Sequence, residues 1–377
     1  MNITLVTFDL DCGGVQRAVA NMTKELADRG HNVSVITQHD SRPDFFAIDS
    51  RASRVRMMHA GWSAESPRTT PRWWNLQHRW ARMRDLRRAI VNTRPNVVIS
   101  YEDVLNVGVV VSLLGTQIPV VVTEHCDPRH HRIPVLWRCL RPWVYRRASA
   151  VVVLNDSIRE WCLEHWPGCH LVTIPNAISL QRPARSVELL ATDGEHMVLA
   201  MGRLVRAKGF DLLVEAFARI SDECAAWRLV ILGDGPERPA LEQSIRHLRL
   251  VDRVTLPGAV STPETFMASA ELFVVSSRYE GFCLALVEAM ASGIPVVSFA
   301  CPSGPPAIIR QGIDGVLVPP EDVSALANAL RDLMLDRSRR DELRNAALKA
   351  AQVFEASRVM PTWCRLISDV VAASSRS

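Results

Sequence analysis

The feature that most constrains the fold is a repeated order of short apolar runs, glycine-containing turns and helix-forming stretches. Residues 3–8 form an apolar run, a turn with Gly13 and Gly14 follows, and a helix-like stretch over 15–29 leads to the apolar run 33–37. This order predicts a βαβ unit in a parallel sheet. Further strand-like runs lie at 96–100, 119–123, 150–154 and 172–175, with a helix-like stretch at 105–114.

A second set of the same kind follows residues 181–195, a stretch of weak periodicity that contains Pro183 and Gly194. Its strand-like runs lie at 197–201, 228–232, 254–256, 272–276, 295–299 and 316–319, and its helix-like stretches at 209–220, 237–248, 284–291 and 323–335. A chain of 377 residues has room for two domains. We therefore predict an α/β protein of two doubly wound domains facing a cleft, which binds ligands at the carboxyl ends of the strands.

Composition excludes several classes of protein. Hydrophobic residues at 48% and charged residues at 22% exclude wholesale disorder and fibrous repeats, and a net charge of +4 does not indicate a nucleic-acid coat. None of the nine cysteines forms a Cys-x-x-Cys pair or has zinc-finger spacing, so we interpret them as reduced thiols of a cytoplasmic protein. The N-terminus does not resemble a signal peptide, and the longest apolar runs, 104–114 and 118–122, are too short to span a membrane.

Positive charge is concentrated in the first half of the chain. Residues 1–190 carry 24 Lys and Arg against 17 Asp and Glu, whereas residues 191–377 carry 20 against 23, which gives +7 and −3. Residues 51–100 alone hold eleven Arg and two acids. Tryptophans alternate with these arginines, at positions 62, 73, 74 and 80. This stretch is either a surface for anionic lipid, in which Arg72, Arg79, Arg82 and Arg84 face the headgroups, a solvated Arg-rich helix, or a nucleic-acid surface.

The most informative segment for chemistry is SRYEGFCLALVEAMASGIPVVSF at 277–299. A strand ends there, and a helix is predicted to begin close to Phe282, so that backbone amides beside Gly281 form an anion site. Glu280 precedes the helix and Glu288 lies about two turns inside it. Two carboxylates around a phosphate-binding helix start could accept hydrogen bonds from the sugar and ribose hydroxyls of a nucleoside diphosphate sugar. Alone, the same two residues would indicate only a solvated helix face.

A second segment, MGRLVRAKG at 201–209, joins a strand to a helix and places Arg203 and Lys208 near the helix start. The chain has only three lysines, at 24, 208 and 349. Two fixed cations and a helix start could neutralise a departing diphosphate without a metal ion. Taken separately, each cation is better explained as ordinary surface charge.

Together these segments resemble the retaining glycosyltransferases of family 4, which have the GT-B fold. The matching motifs are GGVQR at 13–17, TEH at 123–125, IPNAI at 174–178, GRLVRAKG at 202–209, LGDGPER at 232–238, LPG at 256–258 and EGFCLALVEAMASGIPVV at 280–297. The resemblance implies an acceptor-binding domain over 1–182, a donor-binding domain over 183–355, and a C-terminal helix over 356–377 that returns to the first domain. We interpret LGDGPER as a strand-end turn because the third glycine of a dinucleotide motif is absent.

The resemblance also implies roles for individual residues. The first Glu of the Glu-x7-Glu pair, Glu280, contacts the transferred sugar and the second, Glu288, contacts the ribose, while Arg203 and Lys208 hold the diphosphate. The implied donor-binding set is Gly14, Arg203, Lys208, Glu280, Gly281, Phe282, Cys283, Leu284 and Glu288. The implied catalytic set is His125, Glu280, Arg203 and Lys208, with no metal ion. His125 would position the reactants rather than act as a base.

By the same resemblance, SFACPSGPPAII at 298–309 is similar to a subset that transfers hexoses, often N-acetylated, onto lipid-linked glycans. Ala307 and Pro306 depart from the charged residues of that subset. Arg17 becomes a candidate contact to acceptor phosphate, with a surface role as the alternative. We expect transfer from a nucleotide diphosphate sugar, with UDP favoured, to a lipid-linked saccharide at the inner face of the cytoplasmic membrane. Two rival hypotheses are a nucleotide-sugar epimerase and a non-catalytic nucleotide-sugar-binding scaffold.

Overall fold

The computed structural model describes residues 1–38, 44–57, 72–131, 133–178 and 195–376, without the side chains of 72–79. Seven strands form the first sheet: β1 (Asn2–Thr7), β2 (Asn32–Thr37), β3 (Ser53–Arg56), β4 (Val97–Tyr101), β5 (Val120–Glu124), β6 (Ala150–Val153) and β7 (Leu171–Thr173). Their order is β3-β2-β1-β4-β5-β6-β7, and every neighbouring pair is parallel. Parallel strands need crossover connections, and helices provide them: α1 (Gly14–Asp28), α2 (Arg72–Asn92), α3 (Asp103–Ser112), α4 (Val135–Tyr145) and α5 (Asp156–His165).

Six strands form the second sheet: β8 (His196–Met201), β9 (Trp227–Leu232), β10 (Val254–Gly258), β11 (Leu272–Val275), β12 (Val296–Phe299) and β13 (Val316–Val318). Their order is β10-β9-β8-β11-β12-β13, again with parallel pairs throughout. The helices of this half are α6 (Phe210–Ile220), α7 (Arg238–His247), α8 (Pro263–Ser269), α9 (Leu284–Ala291), α10 (Pro305–Ile308), α11 (Val323–Leu335), α12 (Arg337–Ala351) and α13 (Ala356–Ser374). Two short 3₁₀ turns cover Arg206–Lys208 and Gln352–Phe354.

The strand order of each sheet reverses at its centre, between β1 and β4 in the first and between β8 and β11 in the second. A crevice opens at such a point, because the connections on either side run in opposite directions. The expectation of two doubly wound, Rossmann-like domains is confirmed. Loops after β1, β4, β8 and β11 are therefore the ones positioned to bind a ligand.

Contacts divide the chain into two compact units. One comprises Met1–Ala177 together with Val359–Ser377, and the other comprises Ile178–Arg358. The first unit thus includes most of α13, and the Ser374 hydroxyl donates a hydrogen bond to the Gln117 carbonyl oxygen. In the second unit, the amide of Ile178 donates to the carbonyl oxygen of Phe354 at 2.9 Å, so this unit's two chain ends meet.

Each unit has its own apolar core, which explains why the central strands are almost entirely apolar. In the first unit Val98, Val122 and Val151 pack beneath the helices, and in the second Leu229 and Phe217 are fully buried. The edge strand β3 (SRVR) is only partly buried. Two of its four residues are arginines, so the pattern of apolar residues did not predict a strand here. An edge strand needs few apolar residues, because one of its sides is not covered by another strand.

The basic stretch at 51–100 is described only in part. Arg54 and Arg56 lie on β3 and pair with Asp44, whereas Trp80 is 69% exposed on α2. Arg82 is half-buried and Arg84 is exposed. The side chains of Trp62, Trp73, Trp74, Arg72 and Arg79 lie outside the described residues, so the lipid-facing role of this stretch stays a prediction. None of the helices in the described ranges is long and apolar enough to cross a membrane.

Candidate active site

Two loops of the second unit are joined at the carboxyl ends of β8 and β11. The Ser276 hydroxyl donates to the Lys208 carbonyl oxygen at 2.9 Å, and the Arg278 amide donates to the Ala207 carbonyl oxygen at 2.8 Å. Gly209 has a φ of +62°, and a side chain there would overlap the Ser276 carbonyl oxygen. Glycine is therefore required at this position both for the left-handed backbone and for the close approach of the two loops.

This joint brings two of the predicted site residues together. Lys208 Nζ lies 2.6 Å from Glu280 Oε1, and the Ser277 hydroxyl donates to the same carboxylate oxygen at 2.6 Å. The Lys208 stem lies along Gly202, where an added Cβ would be only 3.3 Å from Lys208 Cε. A charge-assisted hydrogen bond of this length fixes both side chains. Lys208 and Glu280 thus form one polar cluster at the switch point of the second sheet.

The backbone of Glu280 is held from the loop after β12. The Ser303 hydroxyl donates to the Glu280 carbonyl oxygen, and Gly304, with a φ of +78°, allows close packing against the Glu280 Cβ. Glu280 is only 8% exposed. Pro306 and Ala307, which depart from the family pattern, follow on α10 and are exposed. The loops after β8, β11 and β12, three neighbouring strands of the sheet, therefore determine the position of the Glu280 carboxylate.

The helix start predicted near Phe282 lies two residues later, at Leu284, where α9 begins. Cys283 is the residue before it and has a left-handed φ of 65°, which is unfavourable for a residue other than glycine. The first amide groups of a helix have no intrahelical partners, so an anion at this start would find donors beside Gly281. Glu288 is half-buried in the second turn of α9. Glu280 thus precedes the helix as expected, whereas Glu288 lies about one turn from its start rather than the expected two, because α9 begins later than predicted.

The Cys283 thiol is buried next to this cluster. Burial, and after it the nearby Glu280 carboxylate, raises the pKa of Cys283 well above its ordinary value. Burial likewise raises the pKa of the Cys301 thiol to about 12. Both residues therefore remain neutral thiols and contribute packing rather than a nucleophile.

Arg203 is placed differently from Lys208. It is exposed on the loop after β8, and its guanidinium makes no ion pair with any residue in the described ranges. The turn at 233–237 packs against this loop: side chains at Gly233 and Gly235 would overlap the carbonyl oxygens of Gly202 and Leu204. The LGDGPER segment is therefore a strand-end turn, as interpreted, and it supports the loop that carries Arg203.

Arg278, whose role was not predicted from the sequence, makes further contacts between the loops after β8 and β11. Its guanidinium pairs with Asp211 at 2.7 Å and with Glu321 at 2.9 Å, and it also donates to the Arg206 carbonyl oxygen. Nothing in a single sequence distinguishes this arginine from other surface arginines. Its partners lie 67 and 43 residues away along the chain, so only the fold reveals the contact.

In the first unit the predicted glycine loop lies between β1 and α1. Gly14 is the exposed first residue of α1, and an added Cβ there would meet no atom of the chain within 4 Å. By contrast, a side chain at Gly13 would overlap the Gln16 amide oxygen. Gly14 therefore has no intramolecular reason to be glycine, and at Gly13 the overlap involves only the end of the Gln16 side chain, which can move aside. The space in front of Gly14 is consistent with the close approach of a ligand.

A buried carboxylate that sequence reasoning also missed holds this loop. Glu102 follows β4 with a φ of 73°, accepts a hydrogen bond from the Phe8 amide at 2.9 Å, and accepts another from Gln16 Nε2 at 3.3 Å. Burial raises the pKa of Glu102 to about 7. The unusual backbone and the buried acid occur together at the switch point, where strained residues commonly serve a site. Arg17, one turn into α1, packs over the ring of Phe46 at 5.8 Å.

His125 directly follows β5, at its carboxyl end. Its ring centroid lies 5.4 Å from that of Tyr101, the last residue of β4, and its Nε2 is buried with no hydrogen-bond partner among the described residues. The Tyr101 hydroxyl is also buried and unpartnered within those residues. Burial lowers the pKa of His125 to about 4, so the imidazole is neutral near pH 7. Buried polar atoms are normally hydrogen-bonded, so these two set the end of β4 and the residue after β5 apart from the rest of the sheet.

A polar network underlies His125. Glu124 accepts a hydrogen bond from the Tyr145 hydroxyl and lies 3.5 Å from Arg141 Nη1, and Asn106 Nδ2 donates to the Tyr145 oxygen at 3.2 Å. Burial raises the pKa of Glu124 to about 7. Because each member is held by at least one other, the network fixes the strand end from which His125 projects. No group of three or more potential metal-ligating side chains occurs within the described ranges.

Comparison with known proteins gives a consistent result for both halves. Residues 12–182 match the family described as Glycosyltransferase Family 4, and residues 181–350 match Glycosyl transferases group 1. An exopolysaccharide phosphotransferase of Streptomyces coelicolor is 30% identical over 99% of this chain, which spans 41% of that protein's length. A Campylobacter jejuni enzyme named as an α-1,4-N-acetyl-D-galactosaminyltransferase acting on a diphospho-undecaprenol-linked saccharide is 26% identical over 98% of this chain and 99% of its own.

Among solved structures, Anabaena HepE in complex with UDP and glucose superposes with a TM-score of 0.78 at 18% identity, covering 98% of this chain and 100% of its own. This likeness shows a shared fold of two Rossmann-like domains. The sequence matches extend over both sheets and include the loops described above. The chain therefore belongs to the family 4 glycosyltransferases, which have the GT-B fold.

Proposed function

We propose that this chain is a retaining, metal-independent glycosyltransferase. It moves a hexose or N-acetylhexosamine from a nucleotide diphosphate sugar, with UDP the favoured nucleotide, to a lipid-linked saccharide in surface polysaccharide assembly. Membership of the family supports sugar transfer in general. The Campylobacter relative's printed name supports the polyprenyl diphosphate acceptor, and the UDP and glucose bound by Anabaena HepE support the donor.

The observation that carries the proposal is the pairing of Lys208 with Glu280 at the start of α9. Lys208 Nζ, 2.6 Å from Glu280 Oε1, is positioned by that carboxylate rather than extended into solvent. Negative charge develops on the diphosphate as the sugar leaves, and fixed cations and helix amides stabilise it most effectively when they need not reorganise. Arg203, unpaired with any described residue, supplies a second cation.

The reaction follows from these roles. The bond between the anomeric carbon and the diphosphate oxygen breaks, and a bond forms from the acceptor hydroxyl oxygen to the same carbon on the same face. The hydroxyl proton passes to the departing phosphate oxygen. Lys208 and Arg203 stabilise the diphosphate product, and Glu280 accepts hydrogen bonds from the sugar hydroxyls. Glu288 accepts hydrogen bonds from the ribose.

In this proposal His125 acts as a neutral group. Its pKa of about 4 leaves the imidazole uncharged in neutral solution, so it can donate or accept a hydrogen bond but carries no charge. Its unpartnered Nε2 would bind a sugar hydroxyl or acceptor oxygen and hold it in place. Because His125 is uncharged, the positive charge that stabilises the diphosphate would come from Lys208 and Arg203 of the second unit. Gly14 would admit donor phosphate to the glycine loop.

The test uses purified protein, a panel of labelled nucleotide sugars and a membrane lipid extract. Release of the nucleotide should occur together with an increase in glycan mass equal to one sugar, with the anomeric configuration retained by NMR. Glu280→Ala should abolish both, whereas Glu342→Ala, at an exposed position of α12, should not. Formation of an epimer from donor alone, or donor binding without turnover in every extract, would contradict the proposal.

A further inference from the structure

Helix α4 of the first unit exposes a row of large apolar side chains. Val135 is 64% exposed, Leu136 53%, Leu140 39% and Trp143 68%. Positions 136, 140 and 143 follow helical spacing, so they lie on one face of the helix. Scattered exposed apolar residues are normal, but a continuous face that includes a tryptophan marks an interaction surface. We call the set Val135, Leu136, Cys139, Leu140 and Trp143 the outer face of α4.

The opposite face fixes how this helix is oriented. Arg141 and Tyr145 are buried, and Trp137 is half-buried against the apolar core of the first unit. Arg141 stacks over the Trp166 ring at 4.6 Å and pairs with Glu124 at 3.5 Å. These contacts prevent the helix from rotating to bury its outer face. The exposure of Leu136 and Trp143 is therefore a property of the folded unit.

The sequence around the outer face is rich in arginine, although Arg129 pairs with Asp127 and Arg141 with Glu124. Residues 128–147 contain six Arg and two His but no Asp or Glu. Arg138 and Arg147 are exposed, and neither pairs with a carboxylate of any described residue. The Arg146 guanidinium lies 4.7 Å above the Trp143 ring, which holds a cation beside the most exposed apolar side chain. An apolar face bordered by unpaired arginines is complementary to an anionic surface with an apolar interior.

We propose that the outer face of α4 docks on the surface of an anionic phospholipid bilayer, with the helix parallel to the membrane plane. Leu136, Leu140 and Trp143 enter the boundary between headgroups and acyl chains, and Arg138 and Arg147 bind the headgroup phosphates. The proposal rests on the proposed function in one respect: a lipid-linked acceptor requires the chain to reach a membrane. The surface itself differs from the basic stretch at 51–100.

Charge favours a bilayer over a second copy of this chain. Two copies that met through this face would bring together two arginine-rich borders that contain no acidic residue between 128 and 147. Like charges in contact oppose such an association. Tryptophan is also suited to the membrane boundary, because one side of the ring is apolar and its N–H binds water or headgroups. The eleven residues of α4 give a docking element about 16 Å long.

The first experiment measures binding to vesicles by co-sedimentation. The vesicles contain phosphatidylcholine with roughly a third phosphatidylglycerol, compared with phosphatidylcholine alone. The triple variant Leu136→Ser/Leu140→Ser/Trp143→Ser is expected to weaken binding at least about tenfold. The matched control Leu163→Ser/Val251→Ser/Leu335→Ser removes equally exposed apolar residues elsewhere and should bind as the unmodified chain does. Arg138→Gln/Arg147→Gln should reduce binding only to the anionic vesicles.

A site-specific measurement uses Cys139, the exposed cysteine of the nine. An environment-sensitive fluorophore attached there should shift its emission to the blue on addition of anionic vesicles, and Cys139→Ser should remove this signal. Unchanged vesicle binding by the apolar triple variant, or equal losses in the control triple, would overturn the proposal. A dimer in light scattering that only the triple variant abolishes, with vesicle binding intact, would overturn it as well.

The vesicle assay does not depend on catalysis. Failure of the proposed function would appear as absent nucleotide binding and sugar transfer, while vesicle binding persisted. Failure of the docking proposal would appear as unchanged vesicle binding in the triple variant, while UDP affinity, measured by calorimetry, was normal. Circular dichroism should show the same helix content for all variants, because every substituted side chain is exposed.

Discussion

Lys208 Nζ lies 2.6 Å from Glu280 Oε1, although the two residues are 72 positions apart in sequence. The pair joins the loops after β8 and β11, and Ser277 donates to the same oxygen. Removing either charge should therefore disturb the position of the other side chain and, with it, the proposed contact to the diphosphate.

We predict that Lys208→Met lowers kcat/KM for sugar transfer by roughly a hundredfold or more, because one fixed cation at the departing diphosphate is lost. Lys208→Arg should recover only part of this activity, since a guanidinium cannot reproduce the single short contact. Steady-state kinetics with the best donor provide the measurement. Lys349→Met, at an exposed position of α12, is the control and should leave kcat/KM unchanged.

Two glycines should respond in opposite ways to alanine. Gly209→Ala is expected to destabilise the second unit by about 2 kcal/mol or more, because its φ is +62° and the new methyl group overlaps the Ser276 carbonyl oxygen. Gly14→Ala meets no atom within 4 Å and should leave stability unchanged or slightly higher. Thermal unfolding measures both effects.

The same Gly14→Ala variant should bind the nucleotide sugar more weakly if the glycine loop admits phosphate. Calorimetric titration with UDP measures this directly. A Gly14→Ala protein with normal donor affinity and normal turnover would show that the open space before this residue is not used by the donor.

Much of the fold follows from the sequence, because strands buried on both faces must be nearly continuous apolar runs. The β8 and β11 runs and the loops after them were therefore predictable, and with them the approximate positions of Arg203, Lys208 and Glu280. The pairing of Lys208 with Glu280 was not, since spacing along a chain does not give the distance between two loops. The two loops lie side by side because β8 and β11 are neighbouring strands of the second sheet.

The parts that sequence reasoning missed are polar or amphipathic. Arg278, Glu102 and Glu124 gain their roles from partners far along the chain, and a charged residue alone carries no sign of burial. Helix α4 was not predicted, although its residues follow an amphipathic helical pattern. Its orientation also differs from the usual rule, because Arg141 is buried while Leu136, Leu140 and Trp143 are exposed. Only the fold shows which of its faces is exposed.

We predict that His125 stays neutral throughout the physiological pH range. Burial lowers its pKa to about 4, so the imidazole should gain its proton only well below the usual value of 6.5. NMR titration of the ring carbons, assigned with a His125→Asn variant, measures this pKa. His125→Asn should lower the transfer rate without shifting a limb of the pH profile near 6.5. A His125 pKa at or above 6.5 would contradict the assigned neutral role.

The stability contribution of Glu124 should depend on pH. Its pKa is raised to about 7 by burial, above the ordinary 4.5, so the neutral acid is favoured in the folded chain. The contribution is thus fully present below about 4.5 and is lost as the pH rises through about 7. Glu124→Gln does not titrate, so it should gain stability relative to the unmodified chain over this range, on the order of 1–3 kcal/mol.

Hydrogen exchange of the β4 and β5 amides, compared between Glu124→Gln and the unmodified chain at several pH values, measures this difference locally. His125 titrates in the opposite sense, since a lowered pKa costs stability as the pH falls from about 6.5 to about 4. A His125→Asn background removes that opposing effect. A difference that does not vary with pH would show that Glu124 stays ionised when buried.

The central claim is that protein cations and helix amides, rather than a metal ion, neutralise the departing diphosphate. The most direct measurement is sugar transfer from the preferred donor to lipid-linked acceptor in excess EDTA, with the Lys208→Met variant run in parallel. We predict full turnover by the unmodified chain in EDTA and little by Lys208→Met, with or without added magnesium. Turnover that disappears in EDTA and returns with magnesium would contradict the account.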